Sequence, residues 1–225
     1  EGNITSKPYL DMTLAVLIQN NIAYSFNQNN LRIHKQDVKL TQPSIEKDWS
    51  AAAFWYSMAS LDSNSEILLP GLSDNSIQGD SKCIQLFGLL GIKTSKHPKG
   101  ILIKNTLTKA NAINIDFTDT PDLAQPFIIA CAANEMEATF SGIQTLKVKE
   151  TDRIEALQNE LLKIGCSLNE SNNSWLLKKI PFTANKNLKF KTYNDHRMAM
   201  SLAPLALKFG NRSEERRVGK ECRSR

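Results

Sequence analysis

Three stretches of this sequence share one layout, and that layout restricts the fold more than any other feature does. Each is an amphipathic helix, a Gly or Asn stop, and two short strands around a polar turn. The first runs from Leu10 through Leu14, Leu17 and Ile18 to Asn20-Asn21, then IAYSF, a turn at NQNN, and LRI. The second runs from Ser81 through Ile84, Leu86, Phe87 and Leu90 to Gly91, then IKTSK, HPKG and ILIK. The third runs from Asp152 through Ile154, Leu157, Leu161 and Leu162 to Gly165, then CSLNE, SNNS and WLLKK. Apolar residues three and four apart give each helix one buried face, and Gly or Asn tolerates the left-handed conformation that ends it. The strands begin at Ile22, Ile92 and Cys166, roughly 70 residues apart, too long a period for a solenoid. The spacing predicts an α/β protein built from pseudo-symmetric copies of one unit.

Further helices fall between the copies. Asp48 is placed to cap WSAAAFWYSMASL, whose alanines favour helix. Thr120-Pro121-Asp122 reads as an N-cap, a Pro at the first helical position and an acid in the first turn, opening the apolar run LAQPFIIACAA with Pro126 near its start. Another helix is expected from Asn194-Asp195 through MAMSLAPLAL to Gly210, kinked at Pro204.

Composition removes several classes of function. The net charge of +5 suggests a nucleic-acid partner, but six of the 28 Lys/Arg and only three of the 23 Asp/Glu lie in Arg212–Arg225, leaving a surplus of two elsewhere. So balanced a body offers no duplex footprint. No apolar run approaches the length of a membrane span. Glu1–Thr13 lacks the basic start and apolar stretch of a secretory signal, and the entry at Glu1-Gly2-Asn3 without Met reads as a chain that begins mid-protein. Cys83, Cys131, Cys166 and Cys222 are scattered without ligand spacing, which fits buried thiols in a reducing cytoplasm and no metal site.

Two charged runs sit where helices should start. In Lys147-Val148-Lys149-Glu150-Thr151-Asp152-Arg153, Thr151 or Asp152 can cap the helix that follows. Free N–H groups, two lysines and an arginine there would hold phosphate or carboxylate. Glu150 among those cations is a candidate for proton transfer. In Asn194-Asp195-His196-Arg197, the arginine adds a second anion donor, and the histidine can donate a hydrogen bond or shuttle a proton. Asp122 opens a third helix, where it can serve as a general base or simply as a first-turn acid favoured by the helix dipole. On composition alone, a solvated, capped helix start carrying a charge run is the better account of the first cluster.

The runs VKETDR and YNDHRMAM resemble the two signature runs in the C-terminal part of the enolpyruvylshikimate-phosphate synthase family. Ser6-Lys7-Pro8-Tyr9, Gln78-Gly79-Asp80 and Pro121-Asp122 follow the family's order, so the resemblance spans nearly all of residues 4–211. It implies the two-domain enolpyruvyl transferase fold, incomplete here. It also implies transfer of the enolpyruvyl group of phosphoenolpyruvate to the 5-hydroxyl of shikimate 3-phosphate, with release of phosphate and no metal or organic cofactor. By the same resemblance Asp122 matches the proton acceptor and Glu150 the proton donor. Ser6, Lys149 and Asp122 match positions that bind shikimate 3-phosphate, with Tyr9 beside it. Arg153 and Arg197 match arginines that hold phosphoenolpyruvate, and His196 shapes the site. Thr145 stands where some members carry an Asn that binds phosphoshikimate, so its role is transferred only through its hydroxyl.

The resemblance also sets expectations for what surrounds the chain. Residues 1–46 would be the end of a first domain and 47–211 most of a second, with the site between them. The family's earlier half, with its Lys-Ser-x-x-x-Arg, GNAGT-type and Ser-Ser-Gln runs, is not in the sequence, nor is a final segment with another phosphoenolpyruvate-binding Lys. The chain alone is therefore expected to be inactive, and the full-length enzyme to be a cytoplasmic monomer without nucleic-acid or membrane partners. Residues 212–225 lack an apolar face and strand alternation, and they resemble the translation of a sequencing-adapter read rather than protein. Rival readings are the sister enzyme acting on UDP-N-acetylglucosamine and a non-catalytic anion-binding domain.

Overall fold

The computed structural model describes residues 4–27, 30–38, 45–182 and 188–209. Gly210 and the run 212–225 lie outside them. All three predicted units form. Helix α1 (Lys7–Gln19) leads to the antiparallel hairpin β1 (Tyr24–Asn27) and β2 (Asn30–Ile33). Helix α3 (Cys83–Gly88) leads to β4 (Ile92–His97) and β5 (Gly100–Asn105). Helix α5 (Arg153–Leu162) leads to β8 (Cys166–Ser171) and β9 (Ser174–Lys179). The residue between helix and hairpin is left-handed in each: Asn21, Gly91 and Gly165 have φ of 55°, 86° and 75°. In the third hairpin Asn172 and Asn173 both have positive φ, which matches the twist of a two-residue turn to that of the strands.

Strands that the repeat did not reveal complete two sheets. β3 (Glu66–Pro70) pairs with β5 to give a three-stranded sheet in the order β3-β5-β4. β6 (Ile113–Asp116) and β7 (Ala138–Ser141) pair in parallel, and β7 joins β9, giving the order β6-β7-β9-β8. A parallel pair needs a crossover helix, and α4 (Pro121–Ala133) supplies it. This helix is apolar on every side, the mark of a helix with no solvent face. All of its residues are buried except Asp122. Phe127 bridges α3 and the four-stranded sheet: its ring centroid lies 5.4 Å from Phe87 of α3 and 6.3 Å from Phe140 of β7. Emptying that position to Ala costs about 3–5 kcal/mol.

The helix signals mostly hold. Asp48 caps α2 (Trp49–Leu61) by accepting from the Ala51 N–H at 3.1 Å. Thr120 occupies the N-cap of α4, but its side chain makes no capping bond. Pro204 breaks its helix instead of kinking it, so α6 (His196–Leu202) ends before a turn and α7 (Leu205–Phe209) begins after it. The first unit packs loosely by comparison: among its described residues only Leu14 and Asn20 are buried, while Val16, Ile18, Phe26, Leu31 and Ile33 are exposed. Among the described residues, no helix is long and apolar enough to cross a membrane.

Candidate functional site

The starts of α4, α5 and α6 are joined by one chain of charged contacts. Asp152 caps α5, accepting from the N–H groups of Ile154 and Glu155 at 3.0 Å each. Arg153, the first residue of that helix, is 1% exposed. Its Nε donates to Asp195 Oδ2 at 2.7 Å and its Nη2 to Asp195 Oδ1 at 3.3 Å. Nη2 also donates to Glu150 Oε2 at 2.5 Å. Asp195 is fully buried and caps α6, where Oδ1 accepts from Arg197 N at 2.8 Å and Met198 N at 3.2 Å. The chain then continues through the Arg197 side chain, whose Nη2 donates to Asp122 Oδ2 at 2.8 Å.

Pro126 explains part of the grip on Asp122. It has no N–H, so the Asp122 carbonyl four residues earlier lacks its helical donor. Arg197 Nη1 fills that place with a long bond of 3.4 Å. Two neighbouring left-handed residues, Tyr193 (φ 57°) and Asn194 (φ 54°), turn the chain so that Asp195 faces Arg153. Non-glycine residues hold this conformation only where their surroundings enforce it. Here Glu160, 1% exposed, accepts from Tyr193 Oη at 2.9 Å and from Lys191 N at 3.1 Å.

Ser6 and Tyr9 reach the same region from α1. Ser6 takes a left-handed conformation (φ 56°) at the α1 N-cap, and its N–H donates to Thr118 O at 3.0 Å. Thr118 lies in the turn between β6 and α4, where Asp116 Oδ1 accepts from Thr118 N at 2.9 Å. Gly142 makes room for that turn, because a Cβ there would lie 2.2 Å from Thr118 N and 2.3 Å from Asp116 Oδ1. Tyr9 Oη donates to both oxygens of Asp80, at 3.0 and 3.1 Å, and Ser50 Oγ donates to Asp80 Oδ2 at 2.5 Å.

Electrostatics follow from this arrangement. Burial alone would raise Asp195, but the Arg153 guanidinium and the helix N–H groups outweigh it and hold the carboxyl below the usual range. Burial pushes Asp80 up; the bonds from Ser50 and Tyr9 oppose this, while the negative charge of Asp122 adds to it. Burial, reinforced by Asp80 and Asp122, drives the Tyr9 phenol up as well.

The remaining sequence-derived residues fall as follows. Lys149 is exposed on the loop before α5, and His196 is exposed at the first position of α6. Thr145 lies in a 3-10 turn (Gln144–Val148), its hydroxyl buried without a hydrogen-bond partner among the described residues. Lys147 leaves the cluster: it pairs with Glu170 at 3.1 Å and lies over the Trp175 ring, so the first run offers one lysine to a ligand, not two. Sequence reasoning missed Asp195 as the partner of Arg153, marked Asp80 only as part of the Gln78-Gly79-Asp80 run without a role, and missed Ser50. Their contacts span 30 to 71 residues of sequence, and no local spacing signals them. Among the described residues, no group of three or more His, Cys, Asp or Glu could hold a metal ion.

Known proteins of one family resemble this chain in sequence and fold. The family described as EPSP synthase (3-phosphoshikimate 1-carboxyvinyltransferase) matches residues 1–216. The chain belongs to the EPSP synthase family. A 3-phosphoshikimate 1-carboxyvinyltransferase of Bacteroides fragilis is 39% identical over 210 residues, covering 92% of this chain and 51% of that protein. One from Haemophilus ducreyi is 30% identical over 214 residues, covering 92% and 47%. The EPSP synthase structure from Acinetobacter baumannii superposes with a TM-score of 0.68 at 17% identity, over 89% of this chain and 48% of that one. The enolpyruvyl transferase NikO from Streptomyces tendae gives 0.56 at 15% identity, over 93% and 48%. At such identities the structural likeness establishes the fold. The chain spans about half the length of these relatives.

Proposed function

We propose that the full-length protein containing this chain transfers the enolpyruvyl group of phosphoenolpyruvate to the 5-hydroxyl of shikimate 3-phosphate and releases phosphate. The observation that carries this reading is the single chain of contacts Glu150–Arg153–Asp195–Arg197–Asp122 at three helix starts. It sets two carboxylates against two arginines, the groups an addition–elimination between polyanions requires. The acceptor oxygen adds to C2 of phosphoenolpyruvate while C3 gains a proton from Glu150, and the acceptor's own proton passes to Asp122. A C3 proton then returns to the Glu150 carboxylate while phosphate departs with the proton held on Asp122, and the double bond is restored. The anions of phosphoenolpyruvate take Arg153 and Arg197 in place of Glu150 and Asp122, freeing both carboxylates for the reacting centre. Ser6, Tyr9 and Lys149 face shikimate 3-phosphate, with His196 at the rim; the Thr145 hydroxyl is buried and takes no ligand as it stands.

In this reading residues 1–46 end one domain and 47–211 form most of a second. The exposed apolar side chains of α1 and its hairpin support that division, because the rest of the first domain would cover them. Ligand binding closes the two domains on each other, and the enzyme works as a cytoplasmic monomer.

The test is phosphate release by the full-length enzyme, with shikimate 3-phosphate and UDP-N-acetylglucosamine offered as rival acceptors. Turnover is expected only with the first. Asp122→Ala and Glu150→Gln should each cut kcat by about 10²- to 10⁴-fold, the usual worth of positioned acid or base groups. Full activity in both variants, or transfer to the nucleotide sugar, would overturn the proposal. Turnover by the 225-residue chain alone would overturn only the expectation that the chain is inactive by itself.

A further inference from the structure

Asp80 has no part in the proposed chemistry, yet three elements far apart in sequence meet on it. It lies in a 3-10 turn (Gly79–Lys82) and is 2% exposed. Tyr9 of α1 and Ser50 of α2 spend their hydroxyl protons on its two oxygens. Two separate contacts fasten the same part of α1. The Ser6 N–H donates to Thr118 O, and Pro8 packs so closely on Gly79 that a Cβ there would come within 2.3 Å of Pro8 Cβ. Tyr9 also lies within electrostatic reach of Asp122 and Arg197, so the phenol borders the proposed reaction centre.

We infer that Asp80 is a positioning residue: it claims the only proton of the Tyr9 phenol, so that Tyr9 meets the substrate as a hydrogen-bond acceptor and selects a ring hydroxyl there. This rests on the reading of the site given above. A carboxylate accepts and has no proton to give, and a phenol has one O–H. With that proton held by Asp80, the Tyr9 oxygen keeps only lone pairs for a ligand. It pairs with a hydroxyl and disfavours a phosphate or carboxylate oxygen. In a site supplied with arginines for anions, such an acceptor distinguishes the polyol face of the acceptor substrate from its phosphate. Asp80 touches no reacting atom and acts through Tyr9 alone.

The experiment is a double-mutant cycle in the full-length enzyme. Asp80→Ala and Tyr9→Phe should each raise KM for shikimate 3-phosphate up to about ten-fold, the upper end for one hydrogen bond between neutral groups. KM for phosphoenolpyruvate should change less than about two-fold, since the arginines are untouched. The double variant should be no worse than either single one, because both remove the same contact. Asp80→Asn, which keeps an acceptor, should retain most of the wild-type KM. Full additivity, or an equal rise in both KM values, would overturn the assignment. A second readout needs no substrate: carbon-13 NMR of protein labelled at tyrosine Cζ, with the Tyr9 signal identified by its loss in Tyr9→Phe. In the wild type that signal should stay in the phenol form well past the pH at which an exposed tyrosine ionises, and it should ionise at lower pH in Asp80→Ala. A wild-type Tyr9 that ionises near pH 10, as an exposed tyrosine does, refutes the contact. A shifted Tyr9 signal in an enzyme that fails to use shikimate 3-phosphate would support the contact and sink only the functional reading.

Discussion

Replacing Asp195 with Asn separates the ion pair at the centre of this site from the helix cap that shares its carboxylate. Asp195 is fully buried, and its partner Arg153 is 1% exposed. In Asp195→Asn the amide oxygen can still accept from the N–H groups of Arg197 and Met198, so α6 keeps its cap. The amide nitrogen then faces Arg153 Nε, which now lies 2.7 Å from Asp195 Oδ2, and two donors oppose each other. Removing one partner of a buried pair typically costs about 3–5 kcal/mol, mostly the penalty of the charge left behind. Glu150 still reaches Arg153 Nη2, so the low end, about 3 kcal/mol, is expected. For a chain of this size that lowers Tm by about 10 °C. Asp195→Ala should lose about 1 kcal/mol more, because the cap goes too.

The pH dependence has a definite sign. The folded-state carboxyl of Asp195 is held below its unfolded value. Its stabilisation is therefore complete above the unfolded value, about pH 4, and is lost as pH falls through the folded one. Urea and thermal denaturation of wild type and Asp195→Asn, followed by circular dichroism from pH 7 to pH 3, should show a gap that narrows at the acid end. A gap below about 2 °C at pH 7, or one that stays constant to pH 3, would refute the reasoning.

Glu160→Ala should destabilise by about 2–3 kcal/mol in the same denaturation assay, because it takes the acceptor from the Tyr193 hydroxyl and the Lys191 N–H, while Lys163 keeps its bond to Lys189 O; Tyr193→Phe should cost only about 1 kcal/mol. Gly142→Ala should lower Tm and cut kcat together, since its Cβ must displace the Thr118 turn that leads to Asp122, and φ there is +71°. A variant with normal kcat would show that the turn yields without moving Asp122. Cys83, Cys131 and Cys166 are buried, and burial pushes each thiol up, so Ellman's reagent at pH 8 should leave them unmodified until denaturant is added. Prompt reaction of any of the three, with single Cys→Ser variants assigning the thiol, would contradict the packing around it.

Much of the local structure was legible in the residues alone. Helix faces, the left-handed stops at Asn21, Gly91 and Gly165, and the caps at Asp48, Asp152 and Asp195 depend on neighbours within a few positions. The motif order likewise singled out Asp122, Glu150, Arg153 and Arg197 before any coordinates, and the structure joins these four in one network. β3, β6 and β7 escaped notice because each is short and takes its place from a partner strand, not from its own alternation.

What the sequence determined by itself was where helices and hairpins begin and end, and which charged residues stand at their starts, since caps, turns and periodicity act over a few residues. Only the tertiary structure decided how those charges are spent. Arg153 lies buried against Asp195, 42 residues away, and Lys147 is drawn off to Glu170 and Trp175. The carbonyl freed by Pro126 goes to Arg197, and the Tyr9 proton goes to an aspartate 71 residues distant. Such pairings are set by which surfaces the two sheets and α4 bring together, because a buried charge or an orphaned carbonyl must find its partner wherever packing puts one.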